Sequence, residues 1–451
     1  MGILQNILDM IRLNHNLYHA SAAKIAHDQE MAVLDLLARV RRDSSFYRET
    51  SAGQSVRSLH DYGRLPTIDK EVMMAHFDTL NTAGLKLADV LAFALQKELA
   101  RDYLGYYQEK YVVGLSSGTS GNKGIYVTDK KLTNRLPGVF LARGGVRLRD
   151  LPLRILFILR VFSQGFADIN APLIKLNYLP SMSDSEAIID ACNRMRVNIL
   201  MAPPSLLRQL LPLAARLAKP PRRIITYAEV LEQEEKMRIS QAFQAPVVEI
   251  YQASEGQIAS PCRCGSLHIN EDLVYVELFD EDGRTPVTKP GQRAGRMLVT
   301  NLVNTVQPLL RYEMNDLIEL GEPCSCGSHF RVISKIIGRQ DDVLYLNTRT
   351  GIRRAVYPDL VSRWIITTDD RIREFHVRQD ADDHLEIILD LLGDVHPSVR
   401  HDANTADLVR RLRKRLDDEL AIFDIECSVS ITIGSIPLPA DNRKMKRFER
   451  H

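Results

Sequence analysis

Charge imbalance is nearly missing from this chain: 59 basic and 57 acidic residues among 451 leave a net charge of +2, which excludes a general electrostatic pull toward nucleic acid or an anionic membrane surface. Long apolar runs are missing too. The nearest approach is at the N-terminus, where Ile3, Leu4, Ile7, Leu8 and Ile11 follow helical spacing while Asp9 and Arg12 interrupt the run. That pattern predicts an amphipathic docking helix rather than a signal peptide or a membrane span. Met1-Gly2 lacks the Ser or Thr at position 6 that N-myristoylation requires. No internal repeat or low-complexity stretch is present, and hydrophobic residues at 45% suffice for the cores of two or three domains. These absences point to a cytoplasmic protein whose partner sits in a pocket, with no nucleic acid and no membrane involved.

Cysteine is scarce, at six residues, but four are gathered as Cys262, Cys264, Cys324 and Cys326, leaving Cys192 and Cys427 in apolar surroundings. In a reducing compartment such pairs suggest a metal before a disulfide. Cys262 lies six positions before His268, and one residue separates Cys324 from Cys326, so these four side chains make a Cys3His set suited to structural zinc. Cys264 and His329 are alternative ligands. Four protein ligands leave no open position, so the expected role is to pin loops rather than to catalyse.

Two familiar phosphate-binding signatures are also absent. No Gly-x4-Gly-Lys-Ser/Thr loop occurs, and neither a His-Arg-Asp nor an Asp-Phe-Gly segment is found where a kinase would need one. What the chain does contain is Ser116-Ser117-Gly118-Thr119-Ser120-Gly121-Asn122-Lys123-Gly124, placed after the strand-like Tyr111-Val112-Val113. Its glycines let the backbone approach closely, its hydroxyls and amides donate, and Lys123 adds a point charge for phosphate oxygens. This loop is built for a polyphosphate.

The first hundred residues carry helical apolar stripes through 25–41 and 89–99. Short apolar runs at 153–159, 197–201, 224–227 and 247–250 then alternate with helical stretches at 183–194 and 205–218, which argues an α/β sheet covered by helices. Strand-like segments at 274–279, 296–301 and 331–337 suggest a β-barrel-like subdomain. The last hundred residues combine strand-like 374–378 and 384–389, a helix with Leu408, Leu412, Leu416 and Leu420 on one face, and an alternating run from Cys427 to Ile433. The fold class is therefore α/β, with a large N-terminal domain over residues 1–340 and, past the polar turn Arg339-Gln340-Asp341-Asp342, a small separate α+β lid over 341–451.

Further segments follow the loop in a fixed order: Tyr251-Gln252-Ala253-Ser254-Glu255-Gly256, Arg311-Tyr312-Glu313-Met314-Asn315-Asp316, Gly338-Arg339-Gln340-Asp341-Asp342, and Lys444 within a stretch that begins Leu438-Pro439-Ala440-Asp441. Taken together, the chain resembles the acyl-adenylate-forming (AMP-binding) enzymes. Ser45-Phe46-Tyr47-Arg48-Glu49 and Leu65-Pro66-Thr67-Ile68-Asp69-Lys70 are similar to N-terminal segments of the phenylacetate-CoA ligase and coenzyme F390 synthetase branch, which also has a cysteine and histidine at this spacing followed by Cys-x-Cys. The resemblance implies ATP-dependent, AMP-forming activation of a small, aromatic carboxylic acid, with transfer to the thiol of coenzyme A or of an acyl carrier protein's phosphopantetheine.

The same resemblance implies roles for individual residues. Ser116, Ser117, Gly118, Thr119, Ser120, Gly121 and Lys123 would grip the β- and γ-phosphates of ATP, and Glu255 would hold Mg2+, a hard cation suited to carboxylate. Tyr251 would pack beside adenine with Ala228-Glu229 near the base, Asp316 would accept from the ribose hydroxyls, and Arg339 would complete the nucleotide site. Asp341 would be the hinge. Lys444 would bridge the carboxylate and the α-phosphate; Lys446 is its rival, because Arg443 stands where the family has glycine. Two other readings stay open: AMP transfer to a flavin-like or phenolic hydroxyl, and a nucleotide-binding protein without turnover. A homodimer is an open option.

Overall fold

The computed structural model describes residues 2–100, 102–115, 124–159, 163–181, 183–392, 403–436 and 446–450. The loop Ser116–Lys123 and Lys444 lie outside them.

The apolar runs of the middle third form a parallel sheet because they are short, continuous and separated by helices. Its strands lie in the order Ile174–Pro180, Leu153–Leu159, Ile199–Met201, Arg223–Thr226, Val247–Glu249, all parallel. One face is covered by helices Ser185–Met195, Pro204–Leu210 and Gln233–Phe243 through Ile189, Leu207 and Ile239, the other by Leu136–Arg143 through Phe140. The chain leaves strand Leu153–Leu159 toward one neighbour and returns to its other side. That reversal opens a crevice at the carboxyl ends of the strands. The helix expected over 205–218 ends at Leu210 and tightens into a 3-10 turn, Leu211–Arg216, because Pro212 has no N–H to donate and its ring crowds the carbonyl of Arg208.

Two antiparallel sheets make up the β subdomain. Six strands run in the order Arg293–Ala294, Asp316–Gly321, Val332–Arg339, Leu267–Ile269, Gly256–Pro261, Tyr251–Ala253, and three in the order Val274–Phe279, Arg296–Asn301, Tyr312–Met314. They share one core with the N-terminal helices, in which Leu36, Tyr62, Ile258, Val299 and Ile318 are each fully buried. The C-terminal unit has its own core, gathered from Leu344 to Phe448 around Trp364, Phe375 and Leu412. Its sheet runs Ser428–Ile433, His384–Leu391, Ile372–Ala381, Phe448–Arg450, and the last pairing is parallel. A large N-terminal domain and a smaller C-terminal one result. No helix among the described residues is long and apolar enough to cross a membrane.

The N-terminal helix, Gly2–His19, docks as expected but through the opposite face. Ile3, Leu4, Ile7, Leu8 and Ile11 are 43–68% exposed, whereas Asp9, Leu13 and Leu17 are buried against helix Leu136–Arg143. The cause is charge. Arg135 donates to Asp9 through Nε at 2.7 Å and Nη2 at 2.6 Å, and buried Arg143 donates to the Leu13 carbonyl at 2.9 Å. A guanidinium buried without acceptors costs more than aliphatic side chains left in water, so the polar face wins the contact. The helix also needs a glycine beneath it, since a Cβ on Gly138 would lie 2.4 Å from the Asn6 carbonyl oxygen. Gly138→Ala is therefore expected to lift this helix, costing about 1–3 kcal/mol in urea unfolding and speeding amide exchange across residues 3–18.

Candidate active site

A cavity of about 870 Å3 opens where the carboxyl ends of the parallel strands, the edge of the six-stranded sheet and the last segment of the small domain meet. Tyr251, Glu255, Asp316, Arg339 and Asp341 line it, together with Ala228, Glu229 and Lys446. The flanks of the polyphosphate-type loop are held together, because Tyr111–Leu115 and Ile125–Asp129 pair antiparallel with Leu115 opposite Ile125.

Glu255 is fixed by hydrogen bonds on two sides. The Tyr126 hydroxyl donates to its Oε1 at 2.7 Å, and Asn301 Nδ2 donates to its backbone carbonyl at 2.7 Å. Burial raises its carboxyl above the ordinary carboxylate range, with the Tyr126 bond opposing. Burial also lowers the Lys70 ammonium, and the nearby Glu255 charge opposes that shift. Tyr251 donates to Asp316 Oδ2 at 2.7 Å, and Arg339 Nε stands 3.7 Å from Asp316 Oδ1. The turn after Arg339 is tied by Asn315, whose Nδ2 donates to Asp341 at 2.6 Å. Ala228 sits at φ 66°, and the turn directs Glu229 to accept from Ser205 N at 3.0 Å and Ser205 Oγ at 2.8 Å. Carboxylates able to hold a cation or accept from hydroxyls thus face basic groups able to meet an anion.

The sequence reading gave no role to three lining side chains, Lys70, Tyr126 and Arg447. Tyr126 follows the loop directly, where a hydroxyl alternating with apolar Ile125 and Val127 was the available signal. Lys70 closes the segment Leu65-Pro66-Thr67-Ile68-Asp69-Lys70, whose resemblance was a signal, and Arg447 carried none beyond charge.

The cysteine cluster lies on the same six-stranded sheet. Ligand atoms of Cys262, His268, Cys324 and Cys326 all lie within 4.8 Å of one another. Cys262 Sγ is 3.7 Å from Cys324 Sγ, and Cys326 Sγ is 3.5 Å from His268 Nε2. A tetrahedron with metal–sulfur bonds of about 2.3 Å and metal–nitrogen bonds of about 2.0 Å has edges of about 3.8 and 3.5 Å, so the donor set fits. His268 Nδ1 faces the Phe330 carbonyl at 2.9 Å, which leaves Nε2 for the cluster. Backbone amides of Cys264, Cys326 and Ser328 point at the sulfurs of Cys262, Cys324 and Cys326. Cys264 and His329 are exposed and stand outside this group.

Glu249 also lines the cavity, at the end of its strand, and burial pushes its carboxyl from 4.5 to about 7, opposed by Lys236. A raised acid binds its proton more tightly when folded, so its cost is absent below pH 4.5 and develops as pH rises toward 7. Glu249→Gln should therefore stabilise the fold by about 1–3 kcal/mol at pH 8 and leave it unchanged at pH 4, read by urea unfolding at both values.

No family model and no curated protein matches the sequence. Solved structures do. The 2-hydroxyisobutyryl-CoA ligase in its postadenylation state, complexed with 2-HIB-AMP, superposes at TM-score 0.71 and 16% identity over 96% of this chain and 90% of that one. The same ligase with 2-HIB-AMP and CoA, in its thioesterification state, gives 0.56 at 17% identity over 97% and 92%. The anthranilate CoA ligase AuaEII with anthranoyl-AMP gives 0.52 at 15% identity over 74% of this chain and 66% of that one. At such identities the likeness is one of architecture, a fold shared with these CoA ligases.

Proposed function

We propose that this chain is an ATP-dependent, AMP-forming ligase that activates a small carboxylic acid as its acyl-adenylate, releases pyrophosphate and passes the acyl group to a thiol. The carrying observation is the convergence of Tyr251, Glu255, Asp316, Arg339 and Lys446 on one cavity, in a fold whose solved neighbours hold acyl-AMP. Oxide is a poor leaving group from a carboxylate, so joining the acid to AMP supplies a better one. The site must bring two anions together and keep water from the mixed anhydride.

Asp316, oriented by the Tyr251 hydroxyl, accepts from the ribose, and Arg339 beside it offsets the approach of phosphate. Glu255 fits a divalent cation: the Tyr126 hydroxyl orients its Oε1, and its charge is felt at the Lys70 ammonium, where it opposes the effect of burial. Magnesium held there would neutralise phosphate oxygens as charge develops. Ser116 to Lys123 is assigned to the terminal phosphates. Coenzyme A, bound by the 2-hydroxyisobutyryl-CoA ligase, is the thiol we favour over a carrier protein. That the acid is aromatic rests on the resemblance to the phenylacetate-CoA ligase branch. We assign residues 341–451 to the lid, with Asp341 as its pivot.

Pyrophosphate exchange into ATP across a panel of acids tests the reading. Aromatic acids should support exchange and yield hydroxamate when hydroxylamine is added; exchange without hydroxamate would indicate AMP transfer to a hydroxyl instead. With the acid so identified, Lys444→Ala should slow adenylation by about a hundredfold or more while sparing thiol transfer from supplied adenylate. A larger adenylation defect in Lys446→Ala would move the role to Lys446, whose side chain lines the cavity.

We assign the cysteine cluster to structural zinc. Elemental analysis should find about one zinc per chain. Cys262→Ser should lose it and Cys264→Ser should keep it; the reverse would exchange the two ligands.

A further inference from the structure

Five charged side chains from both domains are packed together at the rear of the cavity. Arg208, on helix Pro204–Leu210, is 2% exposed and donates to Glu235 of the large domain, to Glu374 of the small domain at 3.1 Å, and to the Arg373 carbonyl at 3.0 Å. Arg447 of the small domain grips Glu374 with two bonds, Nε to Oε1 at 2.7 Å and Nη2 to Oε2 at 3.0 Å. The same Nη2 reaches Glu229 Oε2, in the wall of the cavity, at 3.3 Å. Glu374 is thus clamped between guanidiniums from the two domains. Burial would raise its carboxyl, and the two cations outweigh that and hold it below the ordinary range.

The pairing has an unusual property. Within this network, separating the domains breaks Arg208 to Glu374, Arg208 to the Arg373 carbonyl, and Arg447 to Glu229; elsewhere across the boundary it also parts Arg238 from Asp370, Lys335 from Asp359 and Tyr357 from Glu281. Each guanidinium then still has a carboxylate of its own domain: Arg208 keeps Glu235, and Arg447 keeps both bonds to Glu374. Glu229 keeps the Ser205 amide and hydroxyl. A buried ion pair is usually costly to open because it strands a charge. Here neither guanidinium of the network is left unpaired, so this contact can hold one arrangement and still release it.

We propose that this network is the catch that holds the lid in its adenylation arrangement, with Arg447 as the positioning residue, and that it opens to admit the thiol. Arg447 immediately precedes strand Phe448–Arg450, which pairs with Ile372–Ala381, while Lys446 on its other side lines the cavity. Holding the guanidinium against Glu229 therefore fixes Lys446 at the cavity wall. The proposal rests on the ligase reading for its catalytic meaning, but the closed geometry it assigns to the free protein does not need turnover.

Two measurements on the full chain keep these apart. Fluorophores on unnatural amino acids at exposed Lys219 and Asp418, which spare the cysteines, report the distance between domains without ligand. Arg208→Met combined with Glu235→Gln removes the cation without stranding its carboxylate; it should replace one narrow distance distribution with a broad, longer one. Should that pair fail to fold, Glu229→Gln keeps one acceptor for the Ser205 amide and can donate to the Ser205 hydroxyl, and it should broaden the distribution alone. In half-reaction assays with the acid that supports exchange, the Arg208 pair should slow adenylation by about tenfold and leave transfer from supplied adenylate within about twofold. An unchanged distance distribution, or equal loss in both half-reactions, overturns the catch. A parent that exchanges no pyrophosphate with any acid overturns the ligase reading, and the distances still decide the catch.

Discussion

The parallel pairing of Phe448–Arg450 with Ile372–Ala381 is the contact on which the mouth of the cavity depends. It sets Val377 opposite Phe448 and adds the bond from Val377 N–H to the Arg447 carbonyl at 2.8 Å, so the last described strand cannot slide without displacing Arg447. Because the side-chain period of a strand is two, a one-residue slip would turn Phe448 out of the small-domain core and carry the Arg447 guanidinium away from Glu374. Burial of Phe448 against Phe375 thus specifies the register, and the register places the charges. The order of dependence runs from core to strand to ion pair to cavity.

Much of the frame was legible because it rests on period. Strands Leu153–Leu159, Val274–Phe279 and Arg296–Asn301 have the bounds that their apolar runs indicate, and Leu408, Leu412, Leu416 and Leu420 are buried along one face of helix Ala403–Ile422. Hydrophobic spacing failed where a buried charge overruled it. Asp9 looks in sequence like an interruption of an apolar stripe, yet it is the residue that meets Arg135, and the aliphatic stripe faces water. Spacing cannot show that Arg135 and Arg143, over a hundred residues away, will need acceptors there.

The site divides the same way. Tyr251, Glu255, Asp316 and Arg339 were found because they recur in an ordered set of motifs, and each lines the cavity. Tyr126 and Arg447 escaped because what selects them is three-dimensional: Tyr126 reaches Glu255 across 129 positions, and Arg447 reaches Glu229 across 218. The cysteines fall between. Residue type and local spacing pointed to a candidate set but left Cys264 and His329 open, and it is the approach of two distant turns that gathers Cys262, His268, Cys324 and Cys326 and leaves the other two outside.

That choice links the cysteine cluster to the cavity mechanically. His268 sits on strand Leu267–Ile269, which pairs on one side with Gly256–Pro261 and on the other with Val332–Arg339. The first neighbour continues, through its pairing with Tyr251–Ala253, to Tyr251 and the turn bearing Glu255; the second ends at Arg339, opposite Asp316. A bond network at His268 therefore constrains both arms of the sheet whose far ends carry Glu255, Asp316 and Arg339. Hydrogen bonds of a strand resist shear along its whole length, whereas a loop would let the two arms drift independently. Cys262, Cys324 and Cys326, on turns at one end of this sheet, gather around His268 on its strand, while Glu255, Asp316 and Arg339 stand at the other end and line the cavity.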